Sequence, residues 1–156
     1  MSEQLYDKTL VFKVAQEEYG VQINQVVSIE RMQEITPYPN RPLHVLGVTT
    51  IRNIVTPVVD LRSALTGKAV ELTETARMII VHADGKEIGL VVDAATDVMD
   101  IDQDTIQQPR LMETETISYL KGISYHNDRL IILLDIERLL EDMTNLDELK
   151  EIKEAF

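Results

Sequence analysis

Apolar and polar residues alternate in short runs along most of this chain. In TLVFKV (9–14), Leu10, Phe12 and Val14 share one face, the period-two pattern of a half-buried strand. After AQEEYG, the run VQINQVVSIE (21–30) puts Val21, Ile23, Val27 and Ile29 on one parity, and the two runs together read as a hairpin. TPYPNRP (36–42) holds three prolines in seven residues and reads as a loop. Val45 to Ile51 and Ile54 to Val59 are strand-like again, separated only by Arg52 and Asn53. A two-residue hairpin loop needs positive φ at its centre, which Asn tolerates better than any residue but Gly. Arg52 is therefore expected at a hairpin tip. Pro57 cannot donate a ladder hydrogen bond, so its strand is expected at a sheet edge or with a bulge there. In DLRSALTG, Asp60 is a helix N-cap and Gly67 a stop, bounding a helix of two turns.

The second half repeats the first. MIIVHADGKEIGLVVDAATDVMDI (78–101) parallels the opening hairpin, and its ADGK is a tight-turn signal. An offset of 69 pairs Phe12 with Val81, Gly20 with Gly89, Val21 with Leu90 and Ile29 with Val98. Further on, GISYHNDRLIILLDIERLL (122–140) parallels GVTTIRNIVTPVVDLRSAL at an offset of 75, so Gly47 meets Gly122 and Asp60 meets Asp135. Two β-rich units of similar build follow, over about 9–72 and 76–140. Each has around five short strands and a helix that plugs one end, which suits a small closed or half-closed barrel. Units this small are expected to share a core. After Asp135 the period changes. Leu139, Met143 and Leu146, then Leu149 and Ile152, predict a C-terminal helix through the tail 141–156, with a break near Thr144-Asn145. The fold class is mainly β with short α elements.

Composition narrows the function. The chain has 156 residues, no cysteine, 44% apolar residues and a net charge of −12. One domain is expected, held without disulfides or thiolate metal sites. The acidic surface repels phosphate backbones and anionic lipid, which argues against nucleic acid as a partner. No signal peptide and no apolar window long enough to span a bilayer is evident, so the cytoplasm is the expected compartment. His44, His82 and His126 are isolated, with no helical ligand spacing. Asp100, Asp102 and Asp104 match the opening of a calcium loop, but Thr105 stands where glycine belongs and Leu111 where glutamate belongs. TGK (66–68) lacks the upstream glycine of a phosphate loop. No catalytic residue, cofactor site or metal site is nominated, and a binding module is expected rather than an enzyme.

Four blocks carry a family likeness: EYGVQINQVVSI, LGVTTIRNIVTPVVDLR, IGLVVDAATDV and YLKGISYHNDRLIILLDIERLL. In order and spacing, from about Thr9 to Leu140, they resemble the CheW-like domain family of bacterial chemotaxis coupling proteins. The resemblance implies two small five-stranded SH3-like barrels on one hydrophobic core, and a function without catalysis. It implies an adaptor that bridges the cytoplasmic tips of chemoreceptors (methyl-accepting chemotaxis proteins) to the regulatory domain of the CheA histidine kinase and helps assemble the signalling array. Arg52, with Asn53, matches the turn that lies at a protein–protein surface in that family. Leu10, Ile23, Val26, Ile29 and Val98 match the blocks that form the family's apolar receptor groove. Taken singly, each of these five also reads as a core residue. Val26 stands out because its parity opposes that of Ile23 and Val27. Two departures bear on the surface: Asn53 replaces a glycine, and Ser28 replaces a glutamate. Asp60 reads as a cap, and Arg62 is left without a role. A monomer recruited to membrane arrays through its partners is expected. A coupler of a non-chemotaxis receptor–kinase pathway and a small-ligand-binding barrel are the rival readings.

Overall fold

The computed structural model describes residues 6–69, 71–108 and 119–144. Its strands are β1 (Tyr6–Val14), β2 (Glu17–Gln22), β3 (Val26–Arg31), β4 (Val45–Ile51), β5 (Ile54–Asp60), β6 (Arg77–Ala83), β7 (Lys86–Val92), β8 (Ala94–Asp102), β9 (Leu120–His126) and β10 (Arg129–Leu134). Helix α1 (Leu61–Thr66) follows β5 and α2 (Ile136–Thr144) follows β10. The strands form two five-stranded sheets, ordered β8-β1-β2-β10-β9 and β3-β6-β7-β5-β4. They are the walls of a first and a second small barrel.

The internal repeat survives element by element: β1 to β5 and α1 correspond to β6 to β10 and α2. The correspondence converts one sheet order into the other. Its consequence is an exchange. The first barrel takes β1 and β2 from the first half and β8, β9 and β10 from the second; the second barrel takes the complement. The half-chain spans 9–72 and 76–140 therefore do not coincide with the sheets. Each barrel is closed by one parallel pairing between halves, β2 with β10 and β5 with β7.

Three apolar clusters hold this together. The largest lies between the barrels and contains Leu10, Phe12, Val21, Val59, Ile79, Leu90 and Leu134. Phe12 stacks on Tyr19 with ring centroids 6.1 Å apart. Ile136, Leu139 and Leu140 of α2 seal the same cluster, being spaced to share one helix face. Smaller clusters fill each barrel: Val11, Ile101, Ile131 and Leu133 in the first, and Ile51, Val58, Met78, Ile80 and Val91 in the second.

Local chemistry follows the sequence in several places. Asp60 caps α1, its Oδ1 accepting from the Ser63 amide at 3.2 Å, and Gly67 ends that helix at φ 77°. Asp135 caps α2 in the same way through the Arg138 amide, also at 3.2 Å. Other expectations need correction. VQINQVVSIE is not one strand: a 3₁₀ turn at Ile23–Gln25 breaks it, and β2 and β3 go to different barrels. The first turn is not AQEEYG but the two residues Ala15 and Gln16 at φ 50° and 75°. Pro57 lies on β5, an interior strand, and the bulge of the β4–β5 pair falls at Val45/Gly47. Proline is accommodated because the ladder from β5 to β7 begins only at Val58. Of the expected C-terminal tail, α2 reaches Thr144, and the predicted helix positions Leu146, Leu149 and Ile152 lie outside the described residues.

Candidate partner-binding surface

Ile51 and Ile54 face each other across β4 and β5, leaving Arg52 and Asn53 as the two-residue tip. Their φ values are 50° and 66°, so the connection is a left-handed turn that matches the twist of its strands. Both residues are exposed. Asn is at ease there; Arg is not, since a Cβ in this region costs about 1–2 kcal/mol. Ile54 adds apolar surface beside them, being 38% exposed. Parity did not reveal Ile54, because its strand reads as buried throughout; the signal was its place directly after the tip.

The five groove positions divide. Leu10 is 1% exposed and part of the inter-barrel cluster, so it lines no accessible surface. Its strand β1 is covered on one side by β8 and on the other by β2. Ile29 and Val98, by contrast, are 42% and 52% exposed. They are equivalent residues of the repeat, each on an edge strand: Ile29 on β3 opposite buried Ile79, and Val98 on β8 opposite buried Leu10. Ile79 and Leu10 belong to the same cluster, so both exposed side chains border one core at the junction of the barrels. Ile23 and Val26 are half-buried and packed on that core. The 3₁₀ turn carrying Ile23 rests on β1 and β6, which brings it between the barrels.

Val26 has its parity explained by a bulge. The register slips between Val26, paired with Val81, and Ser28, paired with Ile80. An extra residue reverses inside and outside. Val26 therefore turns to the inter-barrel core while Val27 packs on the second barrel's own cluster. Ser28, the departure from the family glutamate, has a half-buried side chain whose Oγ has no partner among the described residues.

Arg62 acquires a structural setting. Its Nη1 lies 3.7 Å from Asp93 Oδ2, and that oxygen accepts the Ala15 amide at 2.7 Å. The pair thus steadies the strained Ala15–Gln16 tip. A stronger ion network crosses the first barrel. Arg129 donates from Nε and Nη2 to Glu18 at 3.0 and 2.6 Å, and from Nη1 to Asp97 at 3.0 Å. Its bonds to Glu18 hold that carboxyl below the ordinary carboxylate value. The three isolated histidines gather no metal cluster among the described residues, and His44 Nδ1 lies 2.6 Å from Ser63 Oγ. Asp102, one of the calcium-loop candidates, caps a short turn through the Asp104 amide at 2.9 Å. No described helix is long and apolar enough to cross a membrane.

Known proteins resemble the chain over nearly its whole length. The CheW-like domain matches residues 8–144. Chemotaxis protein CheW of Klebsiella aerogenes is 33% identical over 141 residues, covering 88% of this chain and 85% of that protein. Its namesake in Bacillus subtilis is 33% identical over 136 residues, covering 86% and 87%. Among solved structures, the scaffolding protein TtCheW of Thermoanaerobacter tengcongensis superposes with a TM-score of 0.79 at 31% identity, covering 88% of this chain and 94% of that one.

Proposed function

Because the chain belongs to the CheW-like domain family, we propose that it is a non-catalytic chemotaxis adaptor that couples chemoreceptor cytoplasmic tips to the regulatory domain of CheA. It works in the cytoplasm as a monomer, reaches membrane arrays through its partners and helps assemble them. The observation that carries the reading is the exposed arginine at φ 50° on the β4–β5 tip. A strained turn with a long cationic side chain aimed at solvent is poor design for stability and good design for contact. Arginine suits such a contact because its planar fork binds carboxylates bidentately while its stem packs.

Ile29 and Val98 supply the second surface. Exposed apolar residues on two edge strands, bordering a single core, offer a shallow seat for the apolar face of a helical partner. Leu10 supports that seat from beneath rather than touching the partner. Individual contacts are expected near micromolar, worth about −8 kcal/mol, with avidity in the array doing the rest.

Calorimetric titration of the purified chain with the CheA regulatory domain, and separately with a receptor-tip fragment, tests this. Saturable binding to both, at sites that do not exclude each other, is expected. Arg52→Glu should weaken one of them at least tenfold with an unchanged melting temperature. Binding to neither partner would sink the proposal. Unchanged affinity of Arg52→Glu for both would remove Arg52 from the surface.

A further inference from the structure

We propose that the first barrel carries a binding site for a small organic amine with an apolar body. The site is a cavity of about 330 Å³ over Gly20, reached between β1, β2, β9 and the end of β8. The internal repeat shows how it arises. Met78 is the counterpart of Thr9: Met78 stands opposite Val91 across its hairpin, as Thr9 stands opposite Gln22. In the second barrel the Met78 thioether lies over Gly89, its Cγ and Sδ each 3.1 Å from where a glycine Cβ would sit. In the first barrel the Thr9 methyl covers Gly20 and the side chain stops there, its hydroxyl turned to the Asp7 carbonyl at 3.0 Å.

The substitutions around Thr9 run in one direction. Where the second barrel has Met78, Val91, Leu46 and Ala76, the first has Thr9, Gln22, Lys121 and Asp7. Met78, Val91 and Leu46 form the apolar plug of the second barrel. Their counterparts all line the cavity, so apolar filling has been exchanged for a polar mouth above a floor of Val21, Ile101 and Leu133. A pocket with an apolar floor and a few convergent polar groups is the usual build of a small-molecule site.

The mouth indicates the ligand's head. Asp7 Oδ1 and Oδ2 accept from Gln103 Nε2 at 3.0 and 3.1 Å, which positions the carboxylate and leaves lone pairs for another donor. Lys121, the one cation of the lining, is exposed, and its long stem lets the ammonium stay in solvent, away from the floor. A net charge of −12 raises the local concentration of cations. At about 30 Å³ per water-sized group, the volume admits roughly ten heavy atoms.

Thermal unfolding of the full chain with 2-phenylethylamine as probe tests the site, with phenylacetate as an anion of the same shape. At tenfold excess over its dissociation constant the amine should raise Tm by about 3 °C or more. Phenylacetate should leave Tm unchanged. Thr9→Met, which copies the second barrel, should abolish the shift while the protein remains folded. Asp7→Asn should weaken the amine while sparing 2-phenylethanol. Amide chemical-shift changes on adding the amine to the unaltered protein give a reading independent of any variant: changes confined to β1, β2, β9, β10 and the end of β8 support the site. No shift with the amine, an equal shift in Thr9→Met, or amide changes elsewhere on the surface would each overturn it.

Discussion

The tip Arg52–Asn53 of the second barrel and the tip Asn127–Asp128 of the first occupy the same place in the repeat. Their φ values are nearly the same: 50° and 66° against 49° and 64°. One tip uses residues that accept a left-handed backbone, and the other places arginine there. The same contrast recurs at the other pair of hairpins, where Asp84 and Gly85 turn one and Ala15 and Gln16 turn its counterpart. Both strained tips belong to the first half of the chain, one in each barrel. Ala15 is tied down through Asp93 and Arg62. Arg52 has no such tether among the described residues, and that separates a strain held by the fold from one free to serve a contact. The edge strands differ as well. β8 flanks Val98 with Asp97 and Met99, whereas β3 flanks Ile29 with Ser28 and Glu30. One core thus has two unlike borders.

The comparison can be broken most forcefully at the glycines that close each barrel. A Cβ on Gly47 would lie 2.2 Å from the Thr36 backbone oxygen, on a strand whose bridge partner cannot move aside. Gly47→Ala should cost about 3–5 kcal/mol, read from denaturant unfolding. At the equivalent Gly122 the nearest atom is the Ile106 side-chain methyl, at 2.4 Å. That methyl can swing away by rotation about χ1, and the nearest backbone atom, the Gln107 oxygen, stands farther off at 3.0 Å, so Gly122→Ala should cost less. Equal losses would mean that the two closures are not distinguished by what they press against.

Arg129→Leu removes the ion network from the first barrel only, at an expected cost of about 1–2 kcal/mol. Its pH dependence is the sharper readout. Glu18 titrates lower in the folded protein than its ordinary value of 4.5. The stability it contributes is full above that value and is lost as pH falls through the lowered one. Below about pH 4.5 the parent chain should therefore lose stability more steeply than Arg129→Leu, and parallel acid limbs would refute the assignment.

Exchanging the tips gives the smaller effects. Asn127→Arg should destabilise by about 1 kcal/mol, because it imports into the first barrel the strain that the second already bears. Arg52→Asn should stabilise by somewhat less and at the same time weaken partner binding, a trade that a purely structural arginine would not show. If Arg52→Asn leaves both stability and affinity unchanged, the contrast between the tips has no energetic content.

Much of this architecture was legible along the chain. The strands announce themselves by alternation, the caps by Asp60 and Gly67, and the repeat by Gly20 with Gly89 and Gly47 with Gly122. The exchange between halves was not legible, and could not be. A repeat whose strands pair within one half and a repeat whose strands pair across halves require the same buried faces at the same positions. Only the partner differs, and alternation carries no record of partners. The break at Ile23–Gln25 was hidden for a similar reason, since a 3₁₀ turn of three residues preserves apolar spacing on both sides. The bulge that turns Val26 inward left a trace, its discordant parity, which pointed to Val26 without saying where it faces. Leu10 and Val98 show the limit at the site itself. Directly opposite each other on neighbouring strands, one is core and the other surface, because β8 is an edge and β1 is not.

The parallel pairings between halves also govern how the chain must acquire its shape. During synthesis β1 and β2 emerge long before β10, and β5 before β7, so neither barrel can close while only the first half is available. Contacts between residues far apart in sequence make folding slow, because the chain loses loop entropy before those contacts form. The nascent first half therefore carries unpaired strand edges and an unfilled apolar face until the second half arrives. That interval is when a protein of this build is most exposed to aggregation. Helix α2, which follows β10 and closes over the shared core, acts as the latch.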